Sequence, residues 1–178
     1  MEKNLVNISL LIIQILIIDI VYGIPVKKWY DLKNVGNIFI ENDQKFNWFQ
    51  AWNECVSQNM VLITVDTWEK NEDLTQLLRE NSLKSNLWIG GHDWGDKGRF
   101  VWSSTGKRFT FTNWSKGNPD NVRDVGSCVH YWKSADYEWN DAQFNNTFGF
   151  ICEENPRLVT ARKDLEMKKE FMDRLFEL

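Results

Sequence analysis

The chain has 178 residues and a formal net charge of −4, with 43% hydrophobic and 14% aromatic side chains. That is enough apolar material for one packed domain and too much for an intrinsically disordered chain. The mild acidity supplies neither the basic stripe that nucleic acid requires nor a cationic face for an anionic membrane.

Residues Leu5 to Val21 form an apolar stretch broken by Asn7, Ser9, Gln14 and Asp19, preceded by Lys3 and followed by Val21-Tyr22-Gly23. The pattern predicts a cleaved secretory signal over residues 1–23. An uncleaved anchor, the rival reading, wants about 20 cleanly apolar residues. Cleavage removes Glu2, Lys3 and Asp19 and leaves a net charge of −3. The mature chain is then expected to be secreted and extracellular, without membrane attachment, with residues 24–36 as a short N-terminal segment.

Asn37 to Asn42 ("NIFIEN") alternates apolar and polar residues as a strand does. Asn47 and Gln50 have the spacing of a capping box, and Trp48, Trp52, Cys55 and Val56 at i, i+4, i+7 and i+8 predict the apolar face of a helix. Met60 to Val65 reads as a short buried strand. Asp66 and Glu69 have the spacing of a second capping box, and Leu74, Leu77 and Leu78 predict a second helix ending near Asn81. From Leu87 onward the pattern becomes short strands, "LWIGG", "RFVWSS", "FTFTNW", "CVHYW" and "FGFIC", separated by Gly, Asn, Asp and Ser. Helices first and strands later predict an α+β fold rather than βαβ repeats.

The C-terminal tail, residues 155–178, reads differently. Asn155 can cap, Pro156 suits a first helical position, and Leu158, Ala161, Leu165, Met172 and Leu175 keep a 3-and-4 spacing that Lys168 interrupts. Asp164 to Lys168 and Glu170 to Arg174 are favourable i to i+4 pairs. An amphipathic helix is predicted, either packed on its own domain or paired with a second copy.

Secretion would allow disulfides among Cys55, Cys128 and Cys152, of which one must lack an internal partner. Spacing alone does not say which. Neither C-x-x-C nor a close Cys-His pair occurs, which argues against zinc. His92 and His130 have no nucleophile motif near them, and no phosphate loop or zinc helix occurs. An enzyme is therefore not expected, although Glu138 and Asp141 are close enough in sequence to raise acid-base work as a minor alternative. Asp120, near Pro119, and Asn140-Asp141 are oxygen ligands of the type a calcium ion takes, yet Asn-Pro-Asp alone is more often ordinary turn chemistry.

Taken in order, Cys55, Trp88-Ile89-Gly90-Gly91, Asn113-Trp114, Gly117-Asn118-Pro119-Asp120-Asn121, Cys128, Trp139-Asn140-Asp141 and Phe150-Ile151-Cys152-Glu153 resemble the C-type lectin-like domain over residues 37–154, in the style of small secreted arthropod lectins. The resemblance implies two helices flanking antiparallel sheets and a long ligand-binding loop. It also implies a Cys55 to Cys152 disulfide, with Phe144 standing where the family has the partner of Cys128. Cys128 is then either buried and inert or a covalent link to a second chain, so a homodimer through Cys128 or through the C-terminal helix is an expectation.

By the same resemblance, one calcium ion and a sugar would be held by Asn118, Asp120, Asn140 and Asp141, with Pro119 in the cis form, which X-Pro bonds reach at about 0.5 to 1 kcal/mol. The amide-then-acid order around Pro119 implies a galactose-type ligand, carried by glycans or glycoproteins. Two positions depart from the family pattern. Asn118 is a methylene shorter than the family's Glu or Gln, and Gly126 replaces a glutamate ligand, for which Asp124 is a candidate substitute. These departures motivate an alternative, a calcium-independent module that binds a protein. Asn113 and Asn145 begin N-glycosylation sequons.

Overall fold

A computed structural model describes residues 28–120 and 126–176. The expected signal, residues 24–27 of the N-terminal segment and Asp124 lie outside these residues. The described strands are β1 (Trp29–Leu32), β2 (Gly36–Phe46), β3 (Met60–Leu62), β4 (Leu87–His92), β5 (Val101–Trp102), β6 (Ser127–Trp132), β7 (Glu138–Gln143) and β8 (Phe148–Glu154). The helices are α1 (Trp48–Ser57), α2 (Trp68–Glu80) and α3 (Pro156–Phe176).

The sheet runs in the order β1-β2-β8-β4-β6-β7, with β3 on β8 and β5 on β4. Its pairings are antiparallel except for β4 with β8, which is parallel with Leu87 opposite Gly149. The α+β class read from the sequence holds. Part of the segment expected to precede the domain is built into it, since Trp29 in β1 pairs with Phe39 in β2 and their rings lie 5.1 Å apart.

Asn47 and Gln50 form the capping box read in the sequence, each side chain accepting from the other's backbone N–H at 2.9 Å. The buried face of α1 is Trp48, Ala51 and Cys55, however, and Trp52 and Val56 are exposed. Cys55 has to face Cys152 in β8, and that orientation turns Trp52 and Val56 outward. In α2 the cap is Thr67, not Asp66: the chain at Thr67 is extended, its hydroxyl accepts from Lys70 N at 3.2 Å, and the helix begins one residue later. Leu74, Leu77 and Leu78 are buried as predicted. The Lys70 ammonium pairs with the buried Glu153 carboxylate, which also accepts Thr64 N at 2.7 Å, and this ties α2 to the sheet.

In the second half "RFVWSS" shrinks to Val101–Trp102, and "FTFTNW" forms no strand, only an isolated bridge from Trp114 to Trp139. Phe109 and Trp114 turn their rings toward the core instead, where Phe109 stacks on Trp102 at 4.1 Å. Ring burial outweighs strand pairing there.

Cys55 and Cys152 are disulfide-bonded across 97 positions, within a cluster that also holds Trp48, Trp88, Phe150 and Cys128. Cys128 is a free thiol with no exposed surface, and burial pushes its pKa up, away from the reactive thiolate. The inert reading of Cys128 therefore fits the fold, whereas an interchain bond would need the core to open. Removing the disulfide with a Cys152→Ser, Cys55→Ser pair is expected to lower stability by about 4 to 5 kcal/mol, because a loop of this length is strongly constrained in the unfolded chain. Urea titration of wild type and variant measures it.

Candidate functional site

Between β4 and β6 the chain makes a long excursion, from Asp93 to Gly126, that is closed at its neck. Asp93 is almost wholly buried. Its Oδ1 accepts Ser127 N at 2.6 Å, its Oδ2 accepts Gly98 N at 2.8 Å, and its own N–H donates to the Ser127 carbonyl at 3.2 Å. One carboxylate thus satisfies donors from both ends of the neck.

The far part of the excursion is fastened to β7. Trp139 is completely buried and meets Trp102, Phe109, Phe111 and Trp114 edge-on, with ring centroids 5.6 to 5.9 Å away. Its backbone reaches the same segment: Trp139 N donates to the Asn113 carbonyl at 2.7 Å, and the Trp139 carbonyl accepts Ser115 N at 2.9 Å and Ser115 Oγ at 3.0 Å. Ser115 then sets the turn that follows. Asn118 donates its backbone N–H to the Ser115 carbonyl at 2.9 Å and its Nδ2 to Ser115 Oγ at 2.7 Å. The Asn118-Pro119 bond is cis, as the resemblance implies. Directly after it, Asp120 N donates to Asp141 Oδ1 at 2.9 Å, which returns the loop to β7 two residues beyond Trp139.

The result is a cleft of about 430 Å³ whose lining includes Asp120, Asn140 and Asp141 together with His130, Trp132 and Phe148. Asp120, Asn140 and Asp141 are thus brought together. Asn118 does not line this cleft and serves the turn through Ser115. The sequence did not single out Trp132 and Phe148, and it showed no nucleophile motif near His130. The available signal was the alternation of β6, which puts His130 and Trp132 on one face, with His130 directly opposite Asn140.

Glu138 is exposed and does not line this cleft, whereas Asp141 is buried and does, which removes the basis for paired acid-base work. The His92 ring stacks on Trp94 at 4.5 Å, and the His130 Nδ1–H donates to its neighbour's carbonyl at 3.0 Å, with its ring between Trp88 and Phe148.

The donor set suits a hard cation in type, with the carboxylates of Asp120 and Asp141 and the amide oxygen of Asn140. Asn140 Oδ1 is buried and has no hydrogen-bond partner among the described residues, an orphaned acceptor on a residue that lines the same cleft as Asp120 and Asp141. The set is small, and among the described residues no three His, Cys, Asp or Glu side chains gather as a metal cluster. Gly126 accounts for part of this. A Cβ there would lie 2.5 Å from Trp94 Cδ1 and 3.0 Å from Trp94 Cα, so Trp94 fills the space that a glutamate would need.

Asn145, in the turn after β7, is exposed, whereas Asn113 is half-buried and gives its carbonyl to Trp139. No helix among the described residues is long and apolar enough to cross a membrane.

The lectin C-type domain family matches residues 44–154. Lectin subunit alpha of Sarcophaga peregrina is 41% identical over 138 residues, covering 74% of this chain and 49% of that protein. Salivary C-type lectin 1 of Aedes albopictus is 35% identical over 115 residues, covering 60% of this chain and 75% of that protein. The chain therefore spans about half the length of the Sarcophaga protein. Among solved structures, human lithostathine matches with a TM-score of 0.63 at 26% identity, over 72% of this chain and 98% of that one.

Two outcomes test this geometry. Gly126→Glu is expected to destabilise the fold by about 1 to 3 kcal/mol through overpacking against Trp94, measured by urea titration. Burial holds the His130 imidazole down at about 4, below its ordinary 6.5. The unfolded chain therefore takes up a proton near pH 6.5 that the native state refuses until about pH 4. The stability present above pH 6.5 should fall by about 3 kcal/mol across that window. In His130→Gln this acid limb should be lost, as seen by comparing urea midpoints at neutral pH and near pH 4.5.

Proposed function

Since the chain belongs to the C-type lectin domain family, we propose that it is a secreted lectin that binds carbohydrate at the Asp120-Asn140-Asp141 cleft with the help of one calcium ion. The observation that carries this reading is the buried Asn140 Oδ1, without a hydrogen-bond partner among the described residues, on a residue that lines the same cleft as Asp120 and Asp141. Asp120, Asn140 and Asp141 would hold the ion, with Asn118 shaping the turn and Asp124 as a candidate further ligand. When bound, the ion supplies coordination positions for two sugar hydroxyls. The protein's own part is complementary: carboxylate oxygens accept hydroxyl protons, the Asn140 amide donates, and Trp132 and Phe148 offer apolar surface to the ring carbons.

The amide-acid order around Pro119 favours galactose-type ligands on glycans or glycoproteins. Secretion is supported by the Cys55-Cys152 disulfide, which persists in oxidising compartments. It is also supported by the names of the relatives, one of them a salivary lectin. The exposed Asn145 is the better of the two glycosylation candidates.

A second reading, a calcium-independent module for a protein partner, is favoured by one observation: Trp94 occupies the space of the glutamate ligand. Calorimetry with calcium, paired with retention on galactose resin, separates the two. The lectin reading expects heat at or below millimolar calcium, EDTA-sensitive retention, and at least a tenfold loss of affinity in Asp120→Ala and Asn140→Ala. Absence of both heat and retention would leave the protein-binding reading standing.

A further inference from the structure

The helix α3 is the largest feature that neither the core nor the cleft explains. Asn155 Oδ1 accepts Arg157 N at 3.0 Å and starts it cleanly, yet none of its 21 residues is buried. Leu158, Leu165, Phe171, Met172, Leu175 and Phe176 are 47% to 82% exposed. A single helix of this length is marginal in water on propensity alone, and apolar side chains at this density in one stripe normally meet a partner.

The stripe is a heptad seam. Leu158, Leu165 and Met172 repeat every seven residues, and Ala161, Lys168 and Leu175 fall three residues after each, the a and d positions of a coiled coil. Residues beside the seam decide the orientation of a second copy. In a parallel pair, Asp164 of one helix stands opposite Lys169 of the other, twice by symmetry, and Phe171 stands opposite Phe176 in the same way. Arg157 would meet Arg162, but Arg162 lies 3.9 Å from Glu154 of its own chain, which offsets that repulsion. In the antiparallel pair that matches a with d, Arg162 stands opposite Lys169 twice, and Asp164 loses its cation. Lys168 at the seam can run its methylene stem along the apolar surface and keep its ammonium in water, which weakens the pair without barring it.

We propose that α3 forms a parallel, in-register two-stranded coiled coil with α3 of a second copy of this chain. Both domains then lie at the same end of the coil. If the cleft binds sugar as proposed above, the two sites face one glycan surface together and bind it with avidity that a single site lacks. The dimer itself does not depend on that reading.

Sedimentation equilibrium of the chain across the micromolar range is the test. Wild type is expected to dimerise, and Leu165→Glu with Met172→Glu is expected to be monomeric with unchanged thermal unfolding of the domain. Lys169→Asp discriminates orientation. In the parallel coil it sets a second carboxylate against Asp164 and weakens association about tenfold, and adding Asp164→Lys restores it. In the antiparallel arrangement the new carboxylate meets Arg162 and tightens association. A wild-type chain that stays monomeric throughout, or a Lys169→Asp variant that associates more tightly, overturns the proposal. Calcium and sugar titrations of the monomeric variant report on the cleft separately.

Discussion

Trp139 is where the core and the loop become one structure. Its indole is closed in by four aromatic rings, all of them from the excursion between β4 and β6. Its backbone holds Asn113 on one side and Ser115 on the other. The turn at Pro119 builds on this anchor, while Asp93 fixes the neck separately. Ser115 positions Asn118, the cis bond at Pro119 turns the chain, and Asp120 comes back to Asp141 on the strand that Trp139 anchors. The described part of a segment with almost no strand pairing is thus held by ring burial and a relay of short hydrogen bonds.

The same packing limits the chemistry. Trp94 lies against Gly126, near the buried Cys128, and stacks on His92 and Phe49. Where another member of the family can place a glutamate, this chain has a ring. The carboxylates among the described residues lining the cleft are those of Asp120 and Asp141, with Asn140 beside Asp141 in sequence. His130 shares the cleft but not the chemistry, because burial keeps it neutral and its Nδ1–H is spent on a backbone carbonyl.

The outer surface divides the molecule's work differently. The core holds a disulfide and a sealed thiol, so covalent association has no ready handle, while an extended apolar stripe projects on α3. The proposed binding cleft and the apolar stripe thus lie on different elements, the cleft on the loop and β7 and the stripe on a helix with no buried residue.

Much of this was legible in the residues. Asn47 and Gln50 specified the start of α1, the Leu74, Leu77 and Leu78 stripe specified α2, and Asn155-Pro156 specified α3, because capping and periodicity act over a few neighbouring residues. The order of cysteine, tryptophan and W-N-D motifs was enough to indicate the family and the candidate loop. Local patterns failed where distant groups competed: Thr67 displaced Asp66 as a cap, Cys152 turned Trp52 and Val56 outward, and buried rings dissolved the strand expected at "FTFTNW". The tertiary structure alone decided that Asn118 gives its Nδ2 to Ser115, that Trp94 crowds out a side chain at Gly126, and that Cys128 is sealed. Each depends on what residues far apart in the chain present to one another in space, and no spacing within a single segment encodes that.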